Sequence, residues 1–129
     1  MLEKIENLIK MVGQTYPKTD EEGNYIECFY PAYFLYDHLP RFKYEDLPTN
    51  LLEACEFINT KALESCQKIS FEELEKGDLI LFGNKNKLPH LAVFLGDMKI
   101  FHANSRNVFE ITRLKNYSYF AIGGYRCHQ

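Results

Sequence analysis

The chain has 129 residues, 46% hydrophobic and 15% aromatic, with ten Phe, nine Tyr and no Trp. Such a composition suits a single folded domain over 1–129 with a genuine core and excludes a disordered chain. A net charge of −3 lacks the basic balance expected of a nucleic-acid binder.

The chain opens Met1-Leu2-Glu3-Lys4-Ile5-Glu6, acidic where an export signal is basic and then apolar. Leu2, Ile5, Ile9 and Val12 recur at helical spacing and predict an amphipathic helix closed by Gly13. A polar loop follows from Pro17 to Asn24. The aromatic-rich segment from Glu27 to Pro40 predicts a buried helix with Pro31 in its first turn, which puts Cys28 at the helix N-terminus. A third helix is expected from Pro48-Thr49-Asn50 through Ile58. The pattern Ser70-Phe71-Glu72-Glu73 matches a capping box opening a short helix that ends at Gly77.

Strands then dominate: Leu79–Phe82, Leu91–Leu95, Lys99–Ala103, Val108–Thr112 and Phe120–Arg126. The run Asn84-Lys85-Asn86-Lys87 reads as a solvated hairpin tip. Helices first and an antiparallel sheet after define an α+β fold, with N-terminal helices packed on five or six strands. No stretch approaches the ~20 apolar residues of a membrane span. Of the four cysteines, at 28, 55, 66 and 127, no two form a C-x-x-C pair. Structural zinc is therefore disfavoured and free thiols are expected.

The chemistry gathers around one hairpin. His90 and His102 each lie six residues from Gly96. If the hairpin is centred there, the two imidazoles face each other on one side of the sheet, with Cβ atoms ~5 Å apart. A thiolate favoured at a helix N-terminus, together with a histidine, makes the minimal engine for acyl transfer. Cys28 is the candidate nucleophile, His90 the acid and base, and His102 the group that orients His90. Backbone N–H groups at the start of the Cys28 helix could hold an oxyanion. Taken singly, each residue has a plainer reading. Cys55 and Cys66 fit small buried hydrophobes, His38 a helix C-terminus and His128 a frayed tail. The same three atoms would also serve as zinc ligands with an open position, although no carboxylate or second cysteine stands at ligand spacing. No cofactor is called for.

Several motifs in chain order carry a resemblance: Gly13-Gln14-Thr15-Tyr16, Glu27-Cys28-Phe29-Tyr30, Leu39-Pro40-Arg41, Gly77-Asp78-Leu79, His90-Leu91-Ala92-Val93-Phe94-Leu95-Gly96, Phe101-His102-Ala103 and Tyr125-Arg126. The chain resembles the NlpC-type superfamily of papain-like cysteine peptidases, which cleave peptide bonds in bacterial cell-wall peptidoglycan. The resemblance implies Cys28 as nucleophile, His90 as base and acid, His102 as orienting residue and Tyr16 as a donor to the oxyanion. It also places Glu27, Phe29 and Tyr30 at the substrate groove, where the superfamily's Asp and Ser-Gly usually flank the cysteine. The length of the Phe42–Ser65 segment suggests a groove wall. The implied partner is a peptidoglycan peptide. With no export signal read in the chain, the expectation is cytoplasmic synthesis followed by delivery, as a phage-tail lysin, a secreted effector or a subunit of a larger particle. Two other readings stay open: a catalytically silent module of an assembly, and an amidase or acyltransferase using the same trio on another substrate.

Overall fold

The computed structural model describes residues 1–84, 87–117 and 120–128, so the Lys85-Asn86 tip lies outside the described residues. Ile5 and Leu8 form the buried side of α1 (Leu2–Ile9). The expected extension to Val12 is wound as turns, and Gly13 leaves them at φ +89. Its N–H donates to the Phe109 carbonyl at 2.8 Å, and the Phe109 N–H donates to the Gln14 carbonyl at 3.0 Å. Backbone groups that would have continued the helix go to the sheet instead.

A two-stranded ribbon follows, β1 (Asn24–Tyr25) against β2 (Phe42–Lys43), with Tyr25 opposite Phe42. Between them the expected long helix is a 3-10 turn, Glu27–Phe29, running directly into the six-residue α2 (Tyr30–Leu35). Pro31 occupies the first turn, where its missing N–H costs nothing. The helix ends before Pro40 because Tyr36 turns out to φ −131 and ψ 76, and its hydroxyl donates to the Gly77 carbonyl at 2.7 Å.

The third helix, α3 (Leu51–Phe57), starts where Asn50 accepts the Glu53 N–H at 3.2 Å, a cap worth about 1 kcal/mol. It continues as a π-helical turn over Ile58–Ala62. The Ser70 pattern yields one 3-10 turn, Phe71–Glu73. Its Ser70 hydroxyl bonds the Glu73 carboxylate at 2.9 Å rather than the backbone.

The sheet holds β3 (Gln67–Ile69), β4 (Leu79–Asn84), β5 (Lys87–Gly96), β6 (Lys99–Ala103), β7 (Phe109–Arg113) and β8 (Ala121–Arg126). They are antiparallel neighbours in the order β3-β8-β4-β5-β6-β7. Strand β3, with three residues, is too short to show a period and was not among the expected strands. Alternating side chains divide the sheet into two faces. Leu79, Leu81, Leu91, Val93 and Phe101 join Ile5, Leu8, Leu35 and Ile58 in the main core. Ile80, Phe82, Ala92, Phe94 and Ile100 gather on the other face with Leu114. Full burial of side chains this size stabilises by roughly 1.5–3 kcal/mol each.

Two links tie the sheet's far end. Asp78, 4% exposed, takes a forked pair of hydrogen bonds from Arg126 Nε and Nη2 at 3.1 and 2.9 Å. Contrary to the expectation of free thiols, Cys66 and Cys127 form a disulfide, leaving Cys28 and Cys55 free. The β3–β8 register explains it. Gln67 pairs with Arg126, so the next residue outward on each strand is a cysteine, and the two Cα atoms lie 4.4 Å apart. Nothing in a separation of 61 residues announces that meeting.

Candidate active site

Cys28 sits in the middle of the Glu27–Phe29 turn, and Glu27 enters it at φ +23, in the left-handed region that few side chains occupy. Strain of this kind persists where the surroundings over-determine it. Here a 2.6 Å hydrogen bond from the Phe29 N–H to the Ile26 carbonyl closes the turn. The Cys28 thiol donates to the Pro89 carbonyl at 3.6 Å, which ties it to the residue before His90. The Tyr25 hydroxyl lies 3.7 Å from the same sulfur. Burial pushes the Cys28 thiol up to about 11, against the Leu91 amide, which favours the thiolate. Burial thus favours the neutral thiol at Cys28, against the thiolate expected from a helix N-terminus. The cause is local: the turn and the short α2 supply little dipole, and the sulfur has left water.

Tyr25 is fixed by the ribbon and by the rings of Phe29, Phe42 and Tyr44, at 5.9, 5.8 and 5.7 Å. Burial raises its phenol well above the usual tyrosine range, with Cys28 and Glu27 adding to the shift. A proton that firmly held makes the hydroxyl a dependable donor.

His90 and His102 meet as expected, with Nε2 of His90 2.8 Å from Nδ1 of His102 and the rings near perpendicular at 79°. The register that brings them together differs from the expected one. Strand β5 pairs Val93 with Phe101 and Phe94 with Ile100, so the hairpin is centred on Asp97 rather than Gly96. The bulge beside Gly96, together with positive φ at Gly96, Asp97 and Met98, absorbs the extra residue. Moving the centre by a whole residue moves each partner by two, which preserves the face. His90 and His102 are thus diagonal neighbours rather than directly opposed, at a span that long side chains bridge. His102 is 1% exposed, and burial lowers its pKa below the usual histidine value against the pull of Glu110.

A cleft of about 710 Å³ opens over this cluster. It is lined by Tyr25, Glu27, Cys28 and Pro89, by His90 and His102, and by Asn104 to Asn107, Glu110 and Tyr117. Of the residues expected from the sequence, Cys28, His90, His102 and Glu27 are brought together here. Tyr16, Phe29 and Tyr30 are not. The Tyr16 hydroxyl points to Met11 Sδ at 3.6 Å and its ring stacks 3.8 Å from that of Tyr30, which also stacks on Phe109. Phe29, 2% exposed, is consumed by the core. The Phe42–Ser65 segment does not line the cleft either; Phe42, Leu47, Ala54, Ile58 and Leu63 are spent on the core. Among the described residues, no group of three His, Cys, Asp or Glu is arranged to hold a metal ion.

Sequence reading missed Tyr25, Glu110 and the Asn104–Asn107 turn. Glu110 had a readable signal, since it is the partner of His102 across the β6–β7 pair.

The NlpC/P60 family pattern matches residues 34–121. That span contains both histidines and begins after Cys28. No curated protein matches the chain significantly. Among solved structures, an NLP/P60 family protein similar to a lipoprotein, from Staphylococcus aureus subsp. aureus Mu50, is 22% identical with a TM-score of 0.62. The match covers 98% of this chain and 41% of that protein, so the chain spans about two fifths of that relative. The NlpC/p60 domain of the peptidoglycan hydrolase SagA is 17% identical at a TM-score of 0.59, covering 95% of this chain and 94% of that one. The peptidoglycan hydrolase RipB from Mycobacterium tuberculosis is 12% identical at 0.61, covering 99% and 66%. With the matched span holding two thirds of the sequence and the fold shared end to end, the chain belongs to the NlpC/P60 family.

Proposed function

We propose that this chain is a cysteine peptidase that hydrolyses amide bonds in peptidoglycan peptides through a thioester. The observation that carries the reading is the 2.8 Å pair of His90 and His102 in the cleft that also holds the Cys28 thiol. In the first half-reaction His90 takes the thiol proton as sulfur attacks the amide carbon. The S–C bond forms, the C–N bond breaks, and His90 passes the proton to the departing amine. In the second, His90 draws a proton from water, whose oxygen adds to the thioester carbon. The C–S bond breaks and the proton returns to sulfur. His102 holds His90 in place throughout. The buried phenol of Tyr25 takes the donor role that the family resemblance gives to Tyr16, stabilising charge on sulfur or on the oxyanion.

Relatives named as peptidoglycan hydrolases support the choice of substrate. Delivery to the wall by a phage tail or a secretion machine belongs to the same proposal. The Cys66–Cys127 disulfide supports a working place outside a reducing cytoplasm. Replacing Cys28 with Ala should abolish release of muropeptides from purified peptidoglycan, read by mass spectrometry, while circular dichroism stays unchanged. Undiminished release would sink the peptidase reading and favour a silent module, for which the sheltered, protonated sulfur is the one supporting observation.

A further inference from the structure

Behind the histidine pair stands a carboxylate with no part in the reaction as written above. Strands β6 and β7 pair His102 directly with Glu110. Glu110 Oε1 lies 3.1 Å from Nε2 of His102, with the histidine side chain 1% exposed and the glutamate 38%. The contact has ion-pair length but falls short of a directed hydrogen bond, and among the described residues no other acceptor meets that buried nitrogen. An unmet donor inside a protein is costly, so Glu110 is the acceptor the site provides.

We propose that Glu110 is a fourth member of the site, a positioning residue that sets the tautomers of both histidines; the inference rests on the peptidase reading above. An ionised carboxylate can only accept. Facing Nε2 of His102, it keeps the proton there, and neutral His102 then presents an unprotonated Nδ1. That nitrogen, 2.8 Å from Nε2 of His90, accepts the His90 proton. His90 is left with an unprotonated Nδ1, the ring nitrogen able to take the proton of the Cys28 thiol. Without Glu110, the buried Nε2 of His102 gains by shedding its proton. His102 then donates from Nδ1, His90 accepts at Nε2, and its proton moves to Nδ1, where it blocks the base. Among the described residues, the uncharged rings of Tyr117, 4.9 Å from His102, and Phe82, 6.1 Å from His90, also flank the pair.

The test is long-range proton–nitrogen NMR of the histidine rings in the resting full chain at mildly alkaline pH, paired with steady-state kinetics. Wild-type protein should show both rings protonated at Nε2. In Glu110→Ala, Nδ1-protonated forms should appear in both rings, and kcat should fall about tenfold to a hundredfold, as for other supporting partners of a functional histidine, with KM little changed. Glu110→Gln, whose amide oxygen still accepts, should restore the wild-type tautomers and most of kcat. Unchanged tautomers in Glu110→Ala overturn the proposal, including the case where only KM rises and Glu110 is a substrate contact. The ring spectra are recorded without substrate, so a failed peptidase reading registers separately, as an active Cys28→Ala protein.

Discussion

The sulfur of Cys28 faces a phenol and a carbonyl, and these two contacts define what each neighbour can contribute. The Pro89 carbonyl can only accept, so it holds the thiol proton at rest. Tyr25, whose phenol stays protonated in its aromatic nest, can only gain a role as the sulfur or the substrate oxygen becomes negative. Tyr25→Phe keeps the ring and its packing while removing that donor. The expected outcome is a kcat lower by roughly 10²-fold, the scale for loss of one oxyanion donor, with KM and thermal stability near wild type. Kinetics on a defined muropeptide would check it, and a Tyr16→Phe protein with kcat unchanged would complete the comparison. The donor role that the motif implies for Tyr16 has a physical obstacle. Its hydroxyl and ring are already engaged by Met11 and Tyr30.

At the scale of elements, the histidine pair was legible because parity survives errors of register. Period-2 alternation puts His90 and His102 on one face for a hairpin centred on either Gly96 or Asp97. The strands themselves were visible as apolar runs, and α3 through its Asn50 cap. What the sequence hid depends on pairing at a distance. The two-residue strands β1 and β2 carry no period of their own, yet they fix Tyr25. Meeting of Cys66 and Cys127 depends on β3 finding β8. The Gly77-Asp78-Leu79 and Tyr125-Arg126 motifs, read as family marks, prove to be two halves of one clamp between β4 and β8. Arg126→Ala would leave the Asp78 carboxylate buried without its cation. A clear loss of stability is expected, tempered because Arg126 is partly exposed and water can reach the site. Urea unfolding measures it, and catalysis per folded molecule should hold.

Taken whole, the molecule sets a rigid six-stranded sheet against helices that are short and broken by turns. The disulfide ties the end of β8 to the segment after α3, closing a stretch of 61 residues. Chain-entropy arguments put such a closure at about 4 kcal/mol. Reducing the protein, or replacing both Cys66 and Cys127 with Ser, should lower stability by that order in denaturant titrations. Activity at moderate temperature should survive, since the cleft is lined by neither cysteine. If stability were indifferent to reductant, the staple would contribute nothing in solution.

The same oxidising conditions that preserve this staple would threaten an exposed, ionised nucleophile, because thiolates are the form that peroxides and disulfides attack. Cys28, 8% exposed, meets that hazard with burial favouring its neutral thiol. On the peptidase proposal, this resting chemistry would serve as storage: a sheltered thiol would outlast conditions that spoil a primed one, until substrate and His90 act on it.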